Sequence, residues 1–205
     1  MQTMNAKQRV ALLAPPVLIG VMYVVFKLLV SATGSSFIAW YLGLVTYWVT
    51  WCTILPLTLV GWRRIKALLR PKPLHGWGFA LVLIPIAGAG LYRLVPGMGY
   101  EKQALWVTIL YVSTAFGNGF FEELLWRGVY MELFPYSITF RFVLPTIAFA
   151  LWHYAPGVAS ANENVWGLII GAAALGSVQS LLAKQTNGIW WPIVAHAIGG
   201  LIMVL

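Results

Sequence analysis

The segment QALWVTILYVSTAFGNGFFEELLWRGVYMELF (residues 103–134) is an apolar run that also contains Glu122, Glu123 and Arg127. A membrane span needs about 20 mostly apolar residues, so the segment is long enough to cross a bilayer. A charge near the bilayer centre costs at least about 2.5–3.5 kcal/mol on insertion scales, and it therefore needs a partner or an aqueous cavity. The segment predicts a transmembrane helix that carries a functional site.

The composition extends this prediction to the whole chain. Hydrophobic residues make up 60% of the 205 residues, charged residues only 9%, and the mean hydropathy is +0.82. A soluble domain has roughly 25% charged residues. We therefore predict an all-α, polytopic transmembrane helix bundle of about seven spans that forms a single integral membrane domain over residues 1–205. The predicted spans are Val10–Ser31, Phe37–Trp62, Gly76–Val95, Gln103–Phe134, Phe142–Tyr154, Val165–Ala183 and Ile189–Leu205.

The net charge of +8 is concentrated in two places along the chain. Seven of the 13 Lys and Arg residues precede the first span or lie in the second connection: Lys7, Arg9, Arg63, Arg64, Lys66, Arg70 and Lys72. The positive-inside rule puts both regions, and with them the N-terminus, on the cytoplasmic side. The basic excess thus indicates orientation and contact with anionic lipid, and it does not favour nucleic acid as a partner.

Depth in the membrane tests whether the intramembrane polar groups can meet. We interpret Gly117-Asn118-Gly119 as a helix break. At about 1.5 Å per residue, Glu122 lies roughly 18 Å from the inner end of its helix, His153 roughly 17 Å from the start of its own, and His196 roughly 11 Å from the start of the last. Three helices can therefore bring these groups to one layer of the bundle.

The side chains in this layer are suited to hydrolysis. Two adjacent carboxylates in an apolar site cannot both ionise cheaply and should titrate as a coupled unit. Glu123 is four residues before Arg127, the spacing of a helical ion pair, so we assign this pair to structure and Glu122 to catalysis as a general base for water. His153 could share the activation of water, and His196 could donate a hydrogen bond to an oxyanion.

Other mechanisms of peptide hydrolysis lack their residues. The chain has no aspartate for an aspartyl dyad, and its three histidines, His75, His153 and His196, form no H-E-x-x-H motif. No serine lies in a Gly-x-Ser-Gly setting with a histidine partner. The single cysteine, Cys52, excludes an intramolecular disulfide. The glutamates and histidines remain as the candidate catalytic residues.

Three motifs in order resemble those of the CPBP family, the CAAX-processing and bacteriocin-processing intramembrane proteases, which include the type II CAAX prenyl endopeptidases. They are Glu122-Glu123-x-x-x-Arg127, Phe149-x-x-x-His153, and His196 in the last helix, and the similarity covers residues 103–205. The resemblance implies a helix bundle around a membrane-embedded cavity, in which Glu122 and His153 activate water and His196 stabilises the oxyanion.

The sequence departs from the family at one position. The family usually has an asparagine four residues after the last histidine, whereas this chain has Gly200. Asn118, a bound water or backbone near Gly199 and Gly200 could supply the second oxyanion donor instead.

The number of candidate ligands does not decide whether the site binds a metal. Two glutamates and two histidines would suffice for a zinc site with an open position, with Glu122, His153 and His196 as ligands. Metal-free catalysis is favoured, because pairing Glu123 with Arg127 removes one ligand and adds a repelling cation.

We predict an intramembrane endopeptidase, in the cell membrane of a prokaryote, whose protein or peptide substrate enters from the membrane or the cytoplasmic face. Prenylated CAAX tails, bacteriocin leaders and sorting tails are all compatible substrates. A proton-coupled transporter would also carry intramembrane carboxylates and histidines, and an inactive membrane scaffold is the third alternative.

Overall fold

The computed structural model describes residues 4–94, 104–159 and 164–204, and these residues form helices without any strand. The predicted span ends at Val95, Gln103 and Leu205 lie outside the described residues. The α-helices are α1 Ala6–Thr33, α2 Ser36–Val49, α3 Leu55–Leu59, α4 Trp62–Leu68, α5 Gly78–Arg93, α6 Leu105–Gly117, α7 Tyr130–Leu133, α8 Leu144–Trp152, α9 Tyr154–Ala159, α10 Val165–Thr186 and α11 Trp190–Val204. Four π-helical segments join some of them: π1 Thr50–Ile54, π2 Asn118–Glu122, π3 Leu124–Val129 and π4 Thr139–Val143.

Three continuous helices in the described part of the chain are long and apolar enough to cross a membrane: Ala6–Thr33, Ser36–Leu59 and Val165–Thr186. The helices Gly78–Arg93 and Trp190–Val204 are apolar but shorter. The protein is thus an all-α integral membrane protein, as predicted. The number of spans, about seven, stays a prediction.

Local sequence explains where the first two long helices begin and end. The Asn5 side chain accepts from the backbone N–H of Gln8 at 3.0 Å and the Gln8 side chain accepts from the Asn5 N–H at 3.0 Å, which forms a capping box at the start of α1. Gly34 ends α1 with φ of +64°, a left-handed conformation that glycine adopts at little cost. Ser35 then caps α2 by accepting from the Ile38 N–H. The chain therefore reverses direction between two long apolar helices.

The helix that contains the two glutamates is continuous through Gly117-Asn118-Gly119, so the predicted break there is wrong. The backbone of Gly117 and Asn118 keeps helical dihedral angles, and the helix widens into π2 and then π3 instead of ending. Gly119 is needed for packing: a Cβ there would lie 2.7 Å from the Ala197 Cβ and 2.8 Å from the Ala197 N. The glycine therefore lets α11 approach the π-helical backbone directly.

A short amphipathic helix, α4, and the segment after it close one end of the bundle. The Ile189 N–H donates to the Leu68 carbonyl at 3.0 Å, and the Trp191 indole donates to the Lys72 carbonyl at 2.6 Å. Arg64 pairs with Glu132, which lies in α7 in the last turn of the glutamate helix. These contacts hold the basic connection against the starts and ends of the helices that carry the candidate site.

Buried aromatic side chains fill the centre of the bundle. Tyr47 and Trp152 stack with ring centroids 3.9 Å apart, and the Trp126 indole donates to the Tyr47 hydroxyl at 2.7 Å. All three rings are almost fully buried. Trp126 lies within the first motif and Trp152 within the second, and both indole nitrogens donate, so the rings pack there without an unsatisfied indole donor.

Candidate active site

A cavity of 640 Å³ lies between the helices, and five of the residues singled out from the sequence line it. They are Asn118, Glu122, His153, His196 and Gly200. Most of the other lining residues are apolar or aromatic: Phe37, Trp40, Leu44, Tyr111, Ala115, Trp152, Pro156, Leu168, Met203 and Val204 are among them. The convergence expected from helix depth is therefore present, whereas the roles of the residues stay predictions.

Glu122 ends π2 and is 1% exposed. Its Oε1 accepts from the Trp152 indole Nε1 at 3.1 Å. Its Oε2 lies 3.8 Å from His196 Nε2 and accepts no hydrogen bond from any residue that the structure describes. The two atoms are therefore close without a hydrogen bond between them. One carboxylate oxygen is thus held in place while the other stays free to accept.

Glu123 belongs to a different set of contacts, although it is the next residue. Its Oε1 accepts from Arg127 Nη1 at 3.2 Å and from His196 Nδ1 at 2.9 Å. The predicted ion pair with Arg127 is confirmed, and the bond to His196 is an additional one that helical spacing does not reveal. The two glutamates therefore approach opposite nitrogens of one imidazole, Glu123 at Nδ1 and Glu122 at Nε2.

Arg127 is enclosed by the protein and is 1% exposed. Its Nη2 donates to the Gly176 carbonyl at 2.9 Å, and its guanidinium lies 4.7 Å from the centroid of the Phe149 ring. A Cβ on Gly176 would approach Arg127 Nη2 to 3.1 Å and Phe149 Cδ1 to 3.0 Å. The glycine in α10 therefore makes room for the guanidinium, and the arginine is a packing and hydrogen-bonding centre with no place among the cavity-lining residues.

His153 lies at the junction between α8 and α9. Its Nδ1 is 2.8 Å from the Phe149 carbonyl oxygen, and because a carbonyl can only accept, Nδ1 carries the proton. The Nε2 of the neutral ring is then an acceptor. The Phe149 ring meets His153 edge to face, with centroids 4.8 Å apart, and meets His196 in the same way at 6.1 Å. Phe149 thus orients both imidazoles.

Asn118 begins π2, and its Oδ1 accepts from the Trp48 indole Nε1 at 3.0 Å. Gly200 lies one helical turn after His196. A Cβ on Gly200 would lie 3.2 Å from the Ala115 Cβ and 3.3 Å from the Ala115 Cα, so α11 is packed tightly against α6 at this point.

The side chains of the zinc alternative can be located in this geometry. The described part of the chain contains no group of three or more His, Cys, Asp or Glu side chains arranged to hold a metal ion. Glu123 is occupied by Arg127, and His196 Nδ1 is occupied by Glu123. The bond at Nδ1 leaves His196 Nε2 available, so metal dependence stays a prediction, and no catalytic step is assigned to a metal.

Sequence reasoning missed the residues that hold the predicted groups in place. Trp152 precedes His153 directly, and a buried indole beside a motif histidine was a usable indication of a donor. Phe149 belonged to the second motif but had no role assigned to it. Trp48 is 70 residues from Asn118 along the chain, and no spacing pattern relates the two.

Residues 102–202 match the model of a protein family that is described as type II CAAX prenyl endopeptidase Rce1-like. Comparison with curated proteins and with solved structures found no significant match. The matched region contains every motif residue of the cavity described above.

Proposed function

The chain belongs, through residues 102–202, to the Rce1-like family of CAAX-type membrane endopeptidases, and on that premise we propose that it hydrolyses a peptide bond with water activated by Glu122. The observation that carries the proposal is the Glu122 Oε2, a buried carboxylate oxygen without a protein partner among the described residues, 3.8 Å from His196 Nε2 in a cavity that His153 also lines.

The proposed reaction uses Glu122 as base and then as acid. The carboxylate takes a proton from water while the water oxygen attacks the carbon of the scissile carbonyl. The tetrahedral intermediate bears an oxyanion, which His196 stabilises from Nε2. The carbon–nitrogen bond then breaks, and Glu122 returns the proton to the leaving nitrogen.

The two histidines and Glu123 have the remaining roles in the proposed reaction. Because the neutral His153 has its proton on Nδ1, its Nε2 can accept a hydrogen bond from the attacking water. His196 donates from Nδ1 to Glu123, so it can donate from Nε2 only when the ring carries both protons. Glu123 accepts from His196 Nδ1, and Arg127 pairs with Glu123 and keeps it in position.

The cavity lining supports an apolar substrate. Phe37, Trp40, Leu168 and Met203 form part of the wall beside the carboxylate. The family description names prenyl CAAX endopeptidases, so a prenylated C-terminal CAAX tail is the first substrate class to assay. Bacteriocin leaders and sorting tails are the alternatives.

Glu122→Gln in the full chain, reconstituted in liposomes, tests the proposal. The probe is a quenched fluorescent peptide with a farnesylated CAAX terminus, assayed beside its unprenylated form and beside leader and sorting-tail peptides. General-base removal should lower turnover roughly 10²–10⁴-fold. Glu132→Gln is the matched control, because Glu132 pairs with Arg64 outside the cavity.

Three results would overturn the proposal. One is cleavage by Glu122→Gln at the rate of the unaltered chain. Another is proton-linked flux through the liposomes with no cleavage of any of the peptides, which would favour a transporter. The third, no cleavage and no flux, would leave the scaffold alternative in its place.

We also propose that catalysis needs no metal. Protein dialysed against a strong chelator, and verified as metal-free by elemental analysis, should keep its cleavage rate. Loss of activity that zinc alone restores would contradict this proposal and favour the zinc-dependent version.

We propose that the N-terminus faces the cytoplasm of a prokaryotic cell, as the basic connection indicates. Tyr136 is 97% exposed beyond the end of the glutamate helix, and the native Cys52 is buried. A Tyr136→Cys variant should react with an impermeant maleimide in inside-out vesicles and not in right-side-out vesicles. The reverse labelling pattern would invert the proposed orientation.

A further inference from the structure

We infer that Asn118 is a second oxyanion donor of this reaction and that Trp48 holds its amide in position. The inference rests on the proposed function, in which a peptide carbonyl becomes an oxyanion beside His196. It assigns to Asn118, in π2, the second hydrogen bond to the oxyanion. Gly200, at the position where the family usually has asparagine, cannot supply this bond from a side chain.

Gly200 cannot supply it because it has no side chain, and the packing around it opposes adding one. A Cβ at this position would lie 3.2 Å from the Ala115 Cβ and 3.3 Å from the Ala115 Cα. Ala115 belongs to α6, one turn before Asn118. The close approach of α11 to α6 thus leaves no space for a side chain at Gly200. It also places Ala115 of α6, and Asn118 after it, in the same cavity lining as Gly200.

Asn118 presents a donor in that lining. It lines the cavity together with Glu122 and His196. Asn118 begins π2 and Glu122 ends it, so the two residues are nearly one turn apart on a helix whose hydrogen bonds run from residue i to i+5. The widened turn therefore carries the amide and the carboxylate on the cavity side together.

Trp48 determines which end of the amide can donate. Its Nε1 donates to Asn118 Oδ1 at 3.0 Å, and an indole nitrogen can only donate, so this contact identifies the oxygen. The planar amide then directs Nδ2 away from Trp48. The indole itself is 6% exposed, stacks on Phe121 with centroids 5.7 Å apart, and lies against Gly117, where a Cβ would come within 2.6 Å of Trp48 Cζ2.

An amide donor complements His196 chemically. The imidazole must carry two protons to donate from Nε2, because Nδ1 already donates to Glu123. The amide of Asn118 donates without any change of protonation. A pair of donors, one charged and one neutral, would stabilise the oxyanion as it forms.

The test measures kcat and KM for the best-cleaved peptide with Asn118→Ala and the nearly isosteric Asn118→Asp, which removes the donor. Loss of one oxyanion donor lowers kcat by about 10²–10³-fold, and we expect that fall with KM little changed. Ser177→Ala is the control, since Ser177 lies outside the cavity lining and its hydroxyl donates to the Ala173 carbonyl. Its kcat should equal that of the unaltered chain, because the substitution removes no group from the cavity.

Trp48→Phe tests the positioning role. Phenylalanine keeps an aromatic ring near Phe121 but loses the Nε1–H together with part of the ring volume. We expect kcat to fall by less than in Asn118→Ala, with KM unchanged. Combining the two substitutions should add little to Asn118→Ala alone, because the indole acts through the amide. Trp51→Phe, in the same helix but outside the cavity lining, is the control.

Folding of each variant is checked by its helical circular dichroism and its thermal unfolding midpoint. Full kcat in folded Asn118→Ala or Asn118→Asp would overturn the inference, and so would a rise in KM with kcat unchanged. If Glu122→Gln abolishes cleavage while the Asn118 variants keep it, the inference alone fails. If Glu122→Gln keeps cleavage, the proposed function fails first.

Discussion

Glu122 and Glu123 are adjacent and equally buried, but they belong to two regions with different designs. On the cavity side, which comprises Asn118, Glu122 and His153, each side chain has one atom hydrogen-bonded to the protein, and the residue lines the cavity. On the network side, which comprises Glu123, Arg127 and Gly176, Glu123 Oε1, the Arg127 Nη atoms and the Gly176 carbonyl bond to one another. Glu123 Oε2 and Arg127 Nε have no partner among the described residues, and their residues are not part of the cavity lining. The difference teaches that burial alone does not identify a catalytic carboxylate. A free lone pair beside a cavity is the more informative feature.

The largest effect on stability should come from the network side. Arg127→Met keeps most of the side-chain volume and removes the cation, so Glu123 loses its main buried partner. Breaking a buried ion pair in this way costs about 3–5 kcal/mol of unfolding free energy. Denaturant unfolding in mixed micelles checks it, and a loss below about 1 kcal/mol, the value for a surface pair, would remove the distinction between the two sides.

A smaller loss should follow from filling the space beside Arg127. In Gly176→Ala the new methyl group would contact Phe149 at 3.0 Å and Arg127 at 3.1 Å. Overpacking of this kind costs about 1–3 kcal/mol. Gly171→Ala is the matched control in the same helix, because a Cβ there meets nothing within 4 Å. The control should be neutral or slightly stabilising, and equal unfolding free energies for the two variants would contradict the packing account.

Trp152→Phe tests whether the indole on the cavity side orients Glu122. The substitution removes the hydrogen bond at 3.1 Å to Glu122 Oε1 and retains an aromatic ring beside Tyr47. A hydrogen bond to a charged group contributes about 1.5–3 kcal/mol, so loss of the orientation of Glu122 should lower kcat roughly ten-fold or more. Steady-state kinetics measure it, and unchanged kcat would mean that the indole does not position the carboxylate.

The smallest effect is expected outside both regions. Arg64 pairs with Glu132, and the arginine side chain is 67% exposed. Exposed pairs contribute about 0–1 kcal/mol, so Arg64→Met should change unfolding free energy by no more than that. If Arg64→Met lowered the unfolding free energy as much as Arg127→Met does, loss of charge and not burial of the ion pair would explain both effects.

The sequence predicted the membrane bundle and the meeting of the three motif residues, because both follow from hydropathy and from distance along a helix. The pair Glu123 and Arg127 was predictable for the same reason, since it is a local contact at i,i+4 spacing. The helix break at Gly117-Asn118-Gly119 was wrong because those glycines serve close packing of Trp48 and Ala197 and leave the backbone helical.

Other features depend on contacts that spacing cannot reveal. The bond from His196 to Glu123 joins residues 73 apart, and the bond from Trp48 to Asn118 joins residues 70 apart. The π-helical turns also re-aim side chains relative to an ideal α-helix. The hydrogen-bond partners of each carboxylate oxygen therefore depend on the folded chain and cannot be read from spacing.

The most direct test of the central claim, that Glu122 and the two histidines act on one substrate carbonyl, is a structure of the full chain with a phosphinate analogue of its best-cleaved peptide. The tetrahedral phosphinyl group has one oxygen for the attacking water and one for the oxyanion. We expect the first within about 2.6–3.2 Å of Glu122 Oε2 and the second within the same range of His196 Nε2. A phosphinyl group bound away from Glu122, with both oxygens outside hydrogen-bond reach of these residues, would contradict the account.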